Sequence, residues 1–113
     1  MRPVLLLACL ALSAPAPLPH PPRPLQVTPG EWVLEWDGAA VPCTLGEDGT
    51  YSWGDSFRGV WSWEPRTRTL NVVEWLRWTP EREYTWSVRL DARLESIDQG
   101  KPGVRLWKKG RGP

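Results

Sequence analysis

The chain has 113 residues, enough for one domain, and its 14 basic and 13 acidic side chains leave a net charge of +1. That balance gives no electrostatic footprint for nucleic acid. One histidine, His20, and two cysteines, Cys9 and Cys43, are too few for a zinc site, and they exclude a Ser-His-Asp or Cys-His centre.

Met1-Arg2 is a short basic start, and Val4 to Ala14 is an apolar run of signal-peptide length. Residues 1–14 are the predicted signal peptide, with the small pair Ala11 and Ser13 putting cleavage next to Ala14. The run is shorter than the roughly 20 apolar residues of a membrane span, and no later stretch is apolar enough to be one. Leu6-Leu7-Ala8-Cys9 also has the look of a lipobox, whose Cys would carry a lipid anchor. The apolar run before Cys9 is short for that pathway, which favours an ordinary signal residue. Either way the chain is expected to be secreted, or held in the periplasm or cell envelope. With Cys9 removed, Cys43 has no partner for an intramolecular disulfide. Residues 15–29 are a Pro-rich linker that favours extended, solvated backbone.

The β domain is predicted over 30–108. Gly30 to Gly38 alternates, with Trp32, Leu34 and Trp36 on one face and Glu31, Glu35 and Asp37 on the other. Ala40 to Leu45 follows, with Val41, Cys43 and Leu45 inward; Pro42 cannot donate to a ladder and needs an edge or an unpaired position. Asp48-Gly49 supplies a hairpin turn, and Tyr51 and Trp53 share a face on the next run. Arg58 to Val73 reads as a hairpin around Pro65, with Trp61 and Trp63 on one strand and Leu70 and Val72 on the other. Glu83 to Leu90 has the cleanest alternation, with Tyr84, Trp86, Val88 and Leu90 inward. Arg93 to Ile97 is a weaker strand, Gln99 to Gly103 a turn, and Val104 to Trp107 the last strand. Residues 109–113 are a basic, frayed tail.

No stretch sustains a 3.6-residue apolar period. Short strands with turns between them predict an all-β fold: an antiparallel meander of about seven or eight strands, forming a small Trp-rich barrel or a strongly coiled sheet. Nine Trp stand against one Phe and two Tyr, and Trp offers the most apolar area per residue to a small core. Trp32, Trp36, Trp61, Trp63 and Trp86 are expected to be buried on one inner face.

Gly30-Glu31-Trp32, opening the first strand after a loose segment, resembles the G-x-W motif of lipocalins and related calycin barrels. The resemblance implies a Trp packed at a closed barrel end beneath an Arg from near the last strand. Arg105 could play that part, and Lys108 is equally placed. The wider pattern of signal, Pro-rich linker, Gly-x-Trp, Cys-Thr-Leu-x-x-Asp-Gly-x-Tyr, Gly-x-Trp-Ser-Trp-Glu-Pro and Tyr-x-Trp-x-Val-x-Leu-Asp is similar to small secreted bacterial proteins of planctomycete type. That likeness brings no activity with it.

No phosphate loop or EF-hand spacing is present, so no cofactor or metal is expected. Glu35 and Asp37 share a solvated face, which surface solubility explains better than a pair of hydrolytic carboxylates. Lys101, Arg105, Lys108, Lys109 and Arg111 form a basic run that suits ordinary solvation or an acidic surface or anionic glycan. Trp75, Trp78 and Trp107 are the candidate ligand-binding residues. Trp75 and Trp107 oppose the parity of their apolar neighbours, and Trp78 follows in a connection. They are either an exposed stacking surface or a second small core. The functional expectation is a non-enzymatic exported module that binds a small apolar ligand, a glycan or an envelope protein through Trp-lined surface. The alternatives are an envelope structural protein without a pocket and, behind it, a carboxylate-dependent hydrolase.

Overall fold

The computed structural model describes residues 24–98 and 102–112. The predicted signal peptide with Cys9, the linker through residue 23 with His20, and residues 99–101 of the Gln99 to Gly103 turn lie outside the described residues. The described chain forms seven strands: β1 (Gly30–Trp36), β2 (Ala39–Leu45), β3 (Thr50–Trp53), β4 (Phe57–Glu64), β5 (Thr69–Leu76), β6 (Tyr84–Arg89) and β7 (Val104–Lys108). They make one antiparallel sheet in the order β6-β5-β4-β3-β2-β1-β7, curled into a half-barrel. Among the described residues no helix is long and apolar enough to cross a membrane.

The meander follows from its turns. Asp48 Oδ1 accepts from Thr50 N (3.1 Å) and Thr50 Oγ1 (2.7 Å), and Gly49 takes φ +88°, a conformation glycine adopts without strain. Those two bonds also hold the Asp48 carboxyl below its ordinary range. Pro42 sits in a central strand, but β3 ends just short of it. Its carbonyl accepts from Gly54 N (2.9 Å), so its missing N–H points to the same side, past the last paired residue of β3. The Gly54 carbonyl instead accepts from Arg58 Nη1 (3.4 Å).

Arg93 to Ile97 is not a strand. It makes two isolated bridges, Leu90 to Ser96 and Glu95 to Arg105. Asp91 Oδ1 accepts from the N–H groups of Arg93 (2.8 Å) and Glu95 (3.0 Å), and this turns the chain too sharply for an extended run. Leu94 takes φ +63° and points into the core, 1% exposed. Left-handed backbone costs about 1–2 kcal/mol there, and burying a Leu returns about 1.5–3 kcal/mol. The segment spans the seam between β6 and β7: Ile97 N donates to Arg89 O (3.1 Å), Ser96 N to Val104 O (2.8 Å) and Leu106 N to Leu94 O (3.1 Å).

The fully buried core is mainly aliphatic: Leu34, Leu45, Leu70, Val72, Val88, Leu90, Leu94, Val104 and Leu106, with Val27, Cys43, Tyr51 and Trp32. This corrects the expected Trp core. Of the five inner Trp only Trp32 is fully buried, while Trp36, Trp61, Trp63 and Trp86 are half-buried against that core. An indole N–H needs an acceptor, and the ends of the half-barrel supply them. Trp32 Nε1 donates to Thr28 O (2.7 Å), Trp61 Nε1 to Gly46 O (3.0 Å) and Trp63 Nε1 to Gln26 Oε1 (2.9 Å).

Residues 24–29 also depart from the solvated linker. Val27 is buried, and Leu25 N donates to Ala92 O (3.1 Å). Arg68 Nη2 donates to Leu25 O (2.7 Å) and Asp91 O (2.8 Å), tying this segment to the seam turn. The segment therefore closes one end of the half-barrel. The tail, expected to be frayed, continues the β1–β7 pairing, with Lys109 N donating to Glu31 O (3.2 Å).

Candidate functional site

The other end of the half-barrel is a cup. The C-terminal ends of β1, β3 and β5 and the N-terminal ends of β4 and β6 meet there. Alternation turns Trp36, Trp53, Phe57, Trp86 and Tyr84 toward the space between them. Trp36 and Trp86 meet edge to face across the interior, with centroids 4.8 Å apart. Trp53 and Phe57 form a tilted pair at 5.8 Å, and Trp53 Nε1 is fixed by Leu34 O (3.0 Å). The rings line a cavity of about 320 Å³, near the lower end of the range for small-molecule sites.

Two polar groups stand in this apolar lining, Tyr51 on β3 and Glu74 on β5. Glu74 shares the inward parity of Leu70 and Val72 and is only 8% exposed; Tyr51 is 2% exposed. The Tyr51 phenol lies beside the Glu74 carboxyl and interacts with it, but neither the phenol oxygen nor Glu74 Oε1 completes a well-aligned hydrogen bond. The residues paired with Glu74 in the sheet are Gly59 and Tyr84, and the lining holds no basic side chain.

Burial raises the Tyr51 phenol well above its ordinary range, and the charge of Glu74 adds to the effect. The Cys43 thiol is pushed up from 9.0 to about 12 by burial first, then by the charges of Glu31 and Glu74. Cys43 is therefore a neutral core thiol. In the unfolded chain it ionises near 9.0, while the folded state keeps its proton to about 12. Its contribution to stability is complete below pH 9 and is lost as pH rises toward 12, by at most about 1.4 kcal/mol per pH unit. Thermal melts should show a level midpoint from pH 7 to pH 9 and a fall above it. A flatter alkaline limb is expected for Cys43→Ala; an unchanged limb would remove Cys43 as a cause.

The Trp residues singled out by parity lie outside the cup. Trp75 is half-buried on the outer face of β5, beside Arg58 in register. Trp107 is half-buried on the outer face of β7, beside Val33, which in turn faces Pro42. Trp78, in the connection after β5, is 61% exposed. Glu35 is half-buried, opposite Arg105 in register, and Asp37 sits in the β1–β2 turn with φ +50°.

Sequence reasoning missed Glu74 and the cup. The signal for Glu74 was its place in the Leu70, Val72, Glu74 alternation, where a carboxylate falls on the apolar face.

At the closed end the cation over the Trp32 ring is Lys108, its Nζ 5.0 Å from the centroid. Arg105 borders a separate cleft of about 470 Å³ with Arg93, Lys108 and Arg111. That cleft is larger than the cup, but three of its four cations are exposed rim residues and one of those, Lys108, already engages Trp32. Of the other residues in the basic run, Lys109 pairs weakly with Glu31 at 3.9 Å, and Lys101 lies outside the described residues. No protein-family model, curated protein or solved structure matches this chain.

Proposed function

We propose that the protein is an exported, non-enzymatic β module whose aromatic cup holds a small ligand. One observation carries this reading: a preformed cavity walled by Trp36, Trp53, Phe57, Tyr84 and Trp86, with the neighbouring Tyr51 and Glu74 as its polar groups, neither fully satisfied. A few polar groups converging in an apolar pocket are the ordinary makings of a ligand site. A filled half-barrel with exposed outer rings would instead have favoured recognition by Trp75, Trp78 and Trp107.

The two locations separate by mutation. Small aromatic probes should quench Trp fluorescence, and Trp86→Leu should weaken that response at least about tenfold while keeping apolar packing. Trp75→Ala and Trp107→Ala should leave the response intact and stability within about 1 kcal/mol, because both rings are on the outer face. Loss of the response in the outer variants, with Trp86→Leu unaffected, would move the site to the outer face. Unfolding of the outer variants would make those rings a second core.

A further inference from the structure

We propose, resting on the reading of the cup as a ligand site, that its ligand is a small organic cation, an ammonium group held against Glu74 between the aromatic walls. The cup's charge, its walls and its unsatisfied atoms point the same way.

Glu74 is the only carboxylic or basic residue of the lining, and it is more than nine-tenths buried. Its polar neighbour in the lining is the neutral Tyr51 phenol, which leaves Oε1 unsatisfied and supplies no opposite charge, so a counter-ion would have to come from outside the lining. The sheet offers none. Gly59 on one side has no side chain, and it cannot acquire one, because a Cβ there would run into the Val73 carbonyl oxygen. Tyr84 on the other side is aromatic.

The walls select the same chemistry. The faces of Trp, Tyr and Phe rings carry negative electrostatic potential and attract cations, most of all when water is excluded. Trp36 with Trp86 and Trp53 with Phe57 make two ring pairs around one cavity, and Tyr84 adds a ring at the rim. An ammonium group with an apolar body of about ten heavy atoms suits a cavity this small. If the ammonium carries N–H groups, the Tyr51 oxygen, whose O–H faces Glu74, still has lone pairs to accept one of them. An anion would meet Glu74 as a like charge. A neutral apolar molecule would exclude water from Glu74 and give nothing in return.

The test compares phenyltrimethylammonium with tert-butylbenzene, its uncharged isostere, by Trp fluorescence titration of the purified protein and of Glu74→Gln. The expected result is at least tenfold tighter binding of the cation by the unaltered protein. Glu74→Gln should erase that preference and melt at the same or a higher temperature, since it removes a buried charge. Equal or tighter binding of tert-butylbenzene, or undiminished cation affinity in Glu74→Gln, would overturn the cation while leaving the cup as a site. A large drop in the melting temperature of Glu74→Gln would make the carboxylate structural and overturn its role. Binding of neither probe would overturn the cup itself.

Discussion

Replacing Trp32 with alanine is expected to cost about 3–5 kcal/mol, the range for removing a buried large aromatic side chain. A domain of this size is stable by about 5–15 kcal/mol in all, so the variant should lose much of its folded margin. Three losses combine. The ring is 3% exposed and packs in the core with Val27. Its Nε1 bond to Thr28 O, at 2.7 Å, contributes about 1 kcal/mol and ties residues 24–29 across the barrel end. The Lys108 ammonium over the ring, itself solvent-exposed, adds about 0.5–1 kcal/mol. The denaturant midpoint should fall sharply, and protease cleavage between residues 24 and 29 should become faster because the segment loses its anchor. Lys108→Ala should cost under about 1 kcal/mol and leave the segment protected. A Trp32→Ala protein of near-normal stability would mean that the closed end is not held as described.

Gly59→Ala should be nearly as damaging, although it adds only one methyl group. Gly59 is buried and pairs with Glu74, and β4 and β5 approach closely there. A Cβ would run into the Val73 carbonyl oxygen and sit 2.9 Å from Glu74 Cα. Both obstacles are backbone, so no side-chain rotation relieves them, and the strands must part. Overpacking commonly costs about 1–3 kcal/mol, and a backbone clash belongs at or above the top of that range. The same shift would displace Glu74, so any binding by the cup should fall with stability. Gly103→Ala is the contrast: nothing lies within 4 Å of its added Cβ and its φ is not positive, so it should change stability by no more than about 0.5 kcal/mol. Equal melting temperatures for the two variants would show that the close approach of β4 and β5 is not fixed.

The strands were determined by the sequence alone, because alternation with period two is a local property. Tyr84, Trp86, Val88 and Leu90 could be assigned to one face from their spacing, and each falls there. The turn at Asp48-Gly49 was legible for the same reason, since its bonds join residues two apart. Parity also put Trp75 and Trp107 on the outer side of their strands. What parity cannot supply is depth along the barrel. All inner-face Trp look alike in sequence, yet Trp32 is sealed under residues 24–29 while Trp36, Trp53 and Trp86 wall an open cup. Their depth depends on which strand ends come together and on which end the N-terminal segment covers. The seam was equally hidden. Arg93 to Ile97 reads as a weak strand, but the Asp91 turn and the left-handed Leu94 bend it into a bridge between β6 and β7. Glu74 lies between the two cases. Its inward direction was written in the alternation of β5, but its meaning required the fold, because only the curled sheet sets one buried carboxylate, opposite a glycine and among aromatic rings, with no cation of the lining to neutralise it.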